Sequence, residues 1–320
     1  MKVPAARIPL LVPLACTVVL VACEAPPEAP QGLNESMRYL IREFYGDDAT
    51  VGAGMSGLMQ WYDDEGHELL ALQATEGATL DNSDSFTLGD LSPEDVAHLP
   101  LDDDGRDVTE AAGLVSLSVL DCPWVDAERV ALRTDMDVVL DDIYETYDRT
   151  YHTSRPAYEE AAEAGEYAVI DEPLEVFDGA YRGGKTDASL LRVSDAVSTS
   201  RFGVTIYYDL ESDFRHGVYD VGGVPTEVAF QGAWLPHAAP GVDGVNVFEQ
   251  AYSIEAKIPH ADGGTLRIYA VWAYLDSPWI SPDDAAYIAT TVNEARDAAT
   301  RISDVCSGSV TLPPEDGVGL

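Results

Sequence analysis

The sequence predicts an α+β fold in which an antiparallel β-meander packs against a long C-terminal helix, after a small helical N-terminal region. Two observations support this class. Along consecutive segments between positions 202 and 274, apolar and polar side chains alternate, which is typical of strands with one buried face. Beyond position 281 the apolar spacing changes to four and three residues, which is typical of an amphipathic helix. Hydrophobic residues make up 46% of the 320 residues, which favours a folded chain over a disordered one.

The first 23 residues have the organisation of an export signal. A short basic start is followed by an apolar run over residues 8–20, which is too short to span a bilayer as a helix but suits a signal-peptide core. The run ends in Leu20-Val21-Ala22-Cys23, which resembles the lipobox of bacterial lipoproteins. The resemblance implies that residues 1–22 are a lipoprotein signal peptide and that Cys23 receives acyl chains such as palmitate. An ordinary secretory leader with an incidental cysteine is the alternative.

The same resemblance implies a cellular location. Glu24 stands where Asp commonly marks retention at the inner membrane, so we expect an outer-membrane location in the cell envelope, on its periplasmic or surface face. The membrane is then a partner through the lipid anchor. Residues 23–33 combine the lipidated Cys23 with a Pro-rich tether that holds the domain off the surface.

Charge limits the other partners. The chain has 57 acidic and 18 basic residues and a formal net charge of −39. Such a surface repels phosphates, so nucleic acid is excluded as a partner and anionic headgroups are disfavoured. Solubility is the commonest consequence of such a charge, and attraction of cationic partners is the other. The six histidines are scattered without metal-ligand spacing, and we predict no cofactor and no metal site.

The N-terminal part of the mature chain, residues 34–110, is predicted to be acidic, helical and irregular. Its first helix follows Asn34 and places four apolar residues on one face: Met37, Leu40, Ile41 and Phe44. We place a soft boundary near residue 110. An α+β domain is predicted over 111–310, and residues 311–320 are predicted to be a disordered tail.

The α+β domain is predicted to begin with a strand at 115–119, followed by helical pieces over 123–163. Within these pieces, tyrosines spaced three and four apart predict an aromatic stripe on a helix: Tyr144, Tyr147 and Tyr151. The body of the chain, most clearly residues 144–151, resembles lipoproteins of deltaproteobacteria, a resemblance that implies no activity.

The clearest pattern is a set of alternating segments joined by Gly-containing turns. The segments are Phe202–Tyr208, Val228–Trp234, Tyr252–Ile258 and Leu266–Tyr274. They predict an antiparallel meander with one buried face, so the alternate polar residues Ser253, Glu255 and Lys257 are expected on the other face. Asp213-Phe214-Arg215-His216 is interpreted as a surface turn.

A final helix is predicted from Ser281-Pro282-Asp283-Asp284, which supplies an N-cap, a proline at the first position and acids in the first turn. It carries one apolar stripe: Ile288, Val292, Ala295, Ala299, Ile302 and Cys306. We expect this stripe to pack on the apolar face of the sheet.

This order of elements resembles the helix-grip fold of START-like lipid-binding domains. The resemblance implies a cavity between sheet and helix, which would take an apolar ligand. Its expected lining is Trp234, Trp272, Tyr274, Ile288 and Val292. A filled core at the same residues is the alternative.

Two cysteines remain after removal of the leader and lipidation of Cys23. Cys122 lies at a predicted helix start and Cys306 at the end of the last helix. Because export implies an oxidising compartment, we expect a Cys122–Cys306 disulfide that acts as a structural staple.

A glycine motif at 52–57 matches G-x-G-x-x-G and resembles the FAD-binding start of flavin amine oxidases. Such a unit needs a buried strand before the glycines and an acid about 20 residues later. The preceding residues form no apolar strand, and Gln73 stands where the acid is expected. A glycine-containing helix or loop is therefore the preferred interpretation.

These observations favour a non-enzymatic, membrane-anchored cell-envelope lipoprotein that binds an apolar small ligand, with no catalytic residue indicated. Two alternatives remain open at this stage: an envelope protein-interaction module without a pocket, and a flavin-dependent oxidoreductase.

Overall fold

A computed structural model describes residues 27–102, 105–165, 167, 169–177, 180–182, 188–201, 204–281 and 283–315. The predicted signal peptide, Cys23 and residues 316–320 lie outside these ranges, as do Phe202 and Pro282. Within the described ranges, no helix has the length and apolar content needed to cross a membrane.

The helices are α1 (Gly32–Arg42), α2 (Asp48–Trp61), α3 (His67–Thr75), α4 (Pro93–Val96), α5 (Trp124–Ala131), α6 (Met136–Val139), α7 (Arg155–Ala164) and α8 (Ala285–Cys306). The strands are β1 (Thr87–Leu88), β2 (Ala112–Leu120), β3 (Thr146–Tyr151), β4 (Glu175–Phe177), β5 (Ala180–Arg182), β6 (Leu190–Arg201), β7 (Val204–Val221), β8 (Val224–Trp234), β9 (Ala239–Pro240), β10 (Val247–Pro259) and β11 (Thr265–Asp276).

Nine strands form one antiparallel sheet in the order β1-β2-β11-β10-β8-β7-β6-β3, with β9 pairing to β10. Strands β4 and β5 pair antiparallel in a separate two-stranded sheet. At the β7–β8 turn, Gly222 and Gly223 both have positive φ, as a two-residue hairpin turn requires. The predicted α+β class, with an antiparallel meander and a long C-terminal helix, is confirmed.

The apolar face of the sheet is covered by the N-terminal helices. Even-numbered residues of β10 and β11, among them Ile254 and Ile268, share one core cluster with Met37 and Leu40 of α1 and Met55 of α2. These helices are amphipathic or apolar along their length, and α2 also packs against β7. Residues before and after position 110 therefore belong to the same core.

Helix α8 lies on the opposite face, which corrects the expectation that it packs on the apolar one. Ile288 and Val292 form a cluster with Leu114 of β2, and Val271 of β11 packs at its edge. Leu114 and Val271 are a cross-strand pair, and their side chains point away from those of Val115 and Ala270 in the α1–α2 cluster. Alternation in a strand shows that a face is buried, but it does not show which helix covers it.

Residues 144–151 form no helix, so the predicted tyrosine stripe is wrong. Thr146–Tyr151 is strand β3, which pairs with β6 at the edge of the sheet. Threonine and tyrosine both favour strands, and Arg149 is buried in an ion pair with Asp195 at 2.7 Å. The Arg149–Asp195 ion pair therefore helps to hold residues 146–151 as a strand against β6, although the spacing of the tyrosines alone favoured a helix.

The segment 311–315, predicted to be disordered, is held against the body of the protein. Glu315 accepts hydrogen bonds from the backbone N of Thr134 at 2.6 Å and from Arg155 at 2.7 Å. Leu312 packs on the cluster around the end of α8.

Candidate functional site

The structure divides the predicted pocket residues between the two faces of the sheet. Trp234 of β8 and Trp272 of β11 are 1% and 0% exposed and lie in the α1–α2 cluster, with Tyr274 packed at its margin. Ile288 and Val292 lie under α8 in the other cluster. The three aromatic residues are brought together, and the sheet separates them from the two α8 residues.

The core beside Trp234 is nearly filled. A cavity of about 20 Å³ is present there, with space for about one water molecule. Its lining includes Ile41, Phe44, Tyr45, His98, Trp234 and Tyr252. An acyl chain does not fit in this space.

A polar cluster lies next to this cavity and ties α1 to the sheet. Arg192 of β6 donates two hydrogen bonds, at 2.7 and 2.6 Å, to the carboxylate of Asp213 on β7. The hydroxyl of Tyr45 donates to the same carboxylate, and burial is the main cause that raises the pKa of Tyr45. The Arg192 guanidinium also stacks 5.4 Å from the ring centre of Trp234. The cluster pairs its charges internally and is best understood as structural.

His98 faces the same cavity. Its ring lies 5.4 Å from that of Tyr45, and within the described residues its Nε2 has no hydrogen-bond partner. Burial lowers the pKa of His98 to about 4, against a smaller opposing effect of Asp213. The histidine is therefore neutral at pH 7. With room for only one water, it has no space for an organic substrate.

The tetrapeptide 213–216 is not a surface turn. It lies inside strand β7 and is buried throughout. Arg215 donates to the carbonyls of Phe44 and Gly46, both at 2.8 Å, and to Asp48 at 3.0 Å, so it joins the end of α1 to the start of α2.

Buried charges hold α5 and the sheet together on the α8 side. Lys257, which is 0% exposed, contacts Glu128 of α5 at 2.6 Å and Glu255 at 2.7 Å. Arg267 of β11 pairs with Glu255 at 2.5 Å. Burial alone would raise the pKa of Glu255, but the charges of Arg267 and Lys257 outweigh it and lower that pKa to about 2.

This network corrects the expectation of a single buried face. Glu255 and Lys257, which alternate with the apolar residues of β10, are buried beside α5 with their charges paired, whereas Ser253 is half-buried. The sequence offers a weak signal, since lysine is rare in this chain and yet occurs in the middle of a strand.

The predicted disulfide is confirmed. Cys122, just before α5, is bonded to Cys306, the last residue of α8, across a sequence separation of 184 residues. The bond lies beside a small apolar cluster that contains Leu120 and Ile302.

The glycine motif lies inside a helix, as preferred. Residues 48–61 form α2, residues 27–47 before them contain no strand, and residues 67–75 form α3 instead of a second strand. The glycines allow close packing: a Cβ on Gly57 would clash with the carbonyl oxygen of Pro30. The flavin interpretation of this motif is wrong. Among the described residues, no group of three or more His, Cys, Asp or Glu is placed to hold a metal ion.

A surface groove provides the space that the core lacks. It has a volume of about 160 Å³ and lies where the start of β7 approaches the end of β11. Its lining is Val204, Ile206, Asn246, Leu275, Ser277, Trp279 and Ile280. We call it the Trp279 groove.

Trp279 is 70% exposed, whereas the other four tryptophans of the chain are buried. Sequence reasoning missed this site because Trp279 lies after the last strand, outside any periodic pattern. The signal that was available is Ser277-Pro278-Trp279, a large aromatic residue placed in a proline-containing loop.

Comparison with known proteins identifies no family for this chain. No protein-family model matches the chain, and no curated protein matches it. Similar solved structures include TTHA0849 from Thermus thermophilus, with a TM-score of 0.33 and 11% identity over 62% of this chain and 99% of that one. Ara h 8.0201 is similar with a TM-score of 0.29 and 10% identity over 61% of this chain and 97% of its own.

Proposed function

We propose that this protein is a non-enzymatic lipoprotein of the cell envelope, anchored through Cys23 at the outer membrane, that binds a small apolar group in the Trp279 groove. The anchoring part of the proposal rests on the lipobox-like segment and the Pro-rich tether. The binding part rests on one observation, the exposed Trp279 beside an apolar groove.

The dimensions of the groove indicate the size of the ligand. A cavity of about 150 Å³ lined by apolar side chains holds a benzene-sized molecule. At about 160 Å³, the groove matches an aromatic ring or a short alkyl segment, with the rest of the ligand in solvent. Val204, Ile206 and Leu275 supply apolar walls, and Trp279 supplies a large aromatic surface at the mouth.

Binding to this groove is tested with the mature chain, residues 24–320, and the neutral fluorescent probe N-phenyl-1-naphthylamine. We expect saturable binding that Trp279→Ala weakens at least about tenfold, because Trp279 supplies the aromatic contact of the groove lining and aromatic contacts commonly carry a large share of the affinity. The matched control is Leu80→Ala, since Leu80 is 66% exposed and contributes no lining to the groove. Equal weakening by both variants, or no saturable binding, would contradict the proposal.

The anchor has its own test. Expressed with its leader in a bacterium that processes lipoproteins, the wild-type chain is expected in the membrane fraction with acyl chains detected on Cys23 by mass spectrometry. Cys23→Ser is expected in the soluble fraction. A wild-type chain that is soluble and unacylated would refute the anchor and leave the groove untouched.

An envelope interaction module is the second candidate, and the nearly filled core beside Trp234 favours it. If the protein is such a module, Trp279→Ala should not change the binding of any small probe.

A further inference from the structure

The turn between β7 and β8 is an exposed apolar segment. Its sequence is Val221-Gly222-Gly223-Val224-Pro225, which contains no polar side chain. Val224 is 61% exposed, although Val221 opposite it packs against the core. We call residues 221–225 the hairpin tip. A single exposed apolar side chain is common on protein surfaces, so the surroundings of the tip decide what it can bind.

The backbone at the apex of the hairpin tip is already hydrogen-bonded within the protein. The backbone N of Gly222 donates to the hydroxyl of Ser56 at 3.0 Å, and the backbone N of Gly223 donates to the carboxylate of Asp220 at 2.7 Å. Backbone donors must be paired in this way before a segment can move into a nonpolar environment. The tip therefore leaves water without stranding these two donors.

The predicted tether enters the domain beside the hairpin tip. Ser56, which binds Gly222, is followed by Gly57, and Gly57 packs so closely on Pro30 that a Cβ there would clash with the carbonyl oxygen of Pro30. The predicted lipid attachment site, Cys23, lies only seven positions before Pro30. A chain of this length spans at most about 25 Å. An anchor at Cys23 therefore keeps the hairpin tip close to the bilayer.

The Trp279 groove lies at the other end of β7. The strand pairs in continuous register from Val204, which lines the groove, to Val221 at the hairpin tip. Its 18 residues extend for about 55 Å along the strand, which is about twice the reach of the tether. Pointing the groove at the bilayer would require the tether to span most of this length.

We propose that the hairpin tip docks on the surface of the membrane that carries the anchor, so that the protein stands on a zwitterionic bilayer with the Trp279 groove facing away. This inference rests on the proposed function, because it takes the anchor at Cys23 and adds a second contact to it. The net charge of −39 and the exposed Asp220 beside the turn disfavour an anionic surface. The groove then takes its apolar group from the aqueous side and not from the bilayer.

The hairpin tip is too small to hold the free protein on a membrane. Removing a largely exposed valine from water favours the docked state by roughly tenfold. The anchor raises the effective concentration of the bilayer near the tip, so a contact that is weak from solution becomes populated once the protein is tethered. Docking is therefore expected for the anchored protein and not for the free one.

The test anchors the protein chemically. In residues 23–320, Cys23 is the one thiol outside a disulfide, because Cys122 and Cys306 are bonded to each other. This thiol is coupled to a maleimide-bearing lipid in phosphatidylcholine vesicles that also contain dansyl-labelled phosphatidylethanolamine. Energy transfer from Trp279 to the dansyl group reports how near the groove lies to the bilayer. The difference between each protein and its Trp279→Phe counterpart isolates this signal from the other tryptophans.

Two matched variants separate the two ends of the domain. Val224→Asp and Val242→Asp each add one negative charge at an exposed valine, which is 61% exposed in the hairpin tip and 66% exposed in the 241–246 loop. We expect weak transfer from Trp279 in the anchored parent and in Val242→Asp. Val224→Asp should weaken docking at least about tenfold, so that the domain tilts and the transfer rises several-fold. Val224→Ser, which adds no charge, should raise the transfer by less.

Each outcome decides a different claim. Strong transfer from Trp279 in the anchored parent, or equal effects of Val224→Asp and Val242→Asp, would overturn the docked orientation. That result would leave the proposed function intact, because acylation of Cys23 in cells and probe binding in the Trp279 groove are measured separately. A chain that is not acylated in cells would overturn the anchor and the docking with it.

Discussion

Replacing Glu255 by glutamine tests how the α8 side of the sheet is held together. The substitution keeps the size of the side chain and removes its charge. Glu255 bridges the two buried cations, contacting Lys257 at 2.7 Å and Arg267 at 2.5 Å. Without it, Glu128 is left as the carboxylate facing Lys257 in the buried network. The variant therefore leaves positive charge buried and incompletely paired, which is strongly destabilising.

The magnitude follows from the pKa of Glu255, which the charges of Arg267 and Lys257 hold at about 2 against an ordinary 4.5 although burial opposes them. One pKa unit corresponds to about 1.4 kcal/mol, so the ionised carboxylate contributes about 3 kcal/mol to stability at pH 7. Because the folded pKa lies below the unfolded one, this contribution is complete above pH 4.5 and is lost as the pH falls through about 2.

Urea denaturation of both proteins between pH 7 and pH 2.5 measures this contribution. We expect Glu255→Gln to lower the free energy of unfolding by about 3 kcal/mol at pH 7, and the difference between the two proteins to shrink below pH 4.5. Taking the difference removes the effects of the many other acids, which are common to both. Glu65→Gln, at an exposed site, should change stability by less than about 0.5 kcal/mol. A loss below about 1 kcal/mol at pH 7, or a loss independent of pH, would refute the reasoning.

Two further predictions concern the disulfide and the buried histidine. Replacing Cys122 and Cys306 by serine should lower the free energy of unfolding by about 5 kcal/mol, which is the chain-entropy value for a loop of this length. Urea denaturation of the oxidised protein and of the double variant measures this difference. A loss below about 1 kcal/mol would show that the disulfide adds little stability. His98 should titrate near pH 4 by NMR because burial disfavours its charged form, so stability that depends on its neutral ring is lost as the pH falls from 6.5 to about 4. Titration of His98 near pH 6.5 would mean that the ring is solvated.

Local sequence patterns predicted the parts of the fold that depend on side-chain periodicity within one segment. The alternation along β10 and β11 predicted the strands, because a side chain must point to one face or the other of a pleated strand. The stripe containing Ile288 and Val292 predicted helix α8, which begins at Ala285, slightly later than the proline-based start signal suggested. The cysteine count and the predicted export signal together predicted the disulfide.

The same local sequence patterns did not predict the candidate site. The Trp279 groove joins the start of β7, the loop at 241–246 and the end of β11, which are far apart in the sequence and are not marked by any shared period. The predicted pocket residues lie on two different faces of the sheet. Helices α1 and α8 are both amphipathic, so either could cover a given sheet face, and the sequence does not show which helix covers which face.

The sequence by itself determined the element types, the α+β class, the strong negative charge and the pairing of Cys122 with Cys306, because each depends on composition or on the short-range periodicity of one segment. Tertiary structure alone decided that α1 and α2 cover the apolar face and that Lys257 is buried among carboxylates. It also decided that Trp279 stays exposed over a groove. These features depend on contacts between segments that are far apart in the sequence. Local sequence patterns do not specify which of these segments pack against each other.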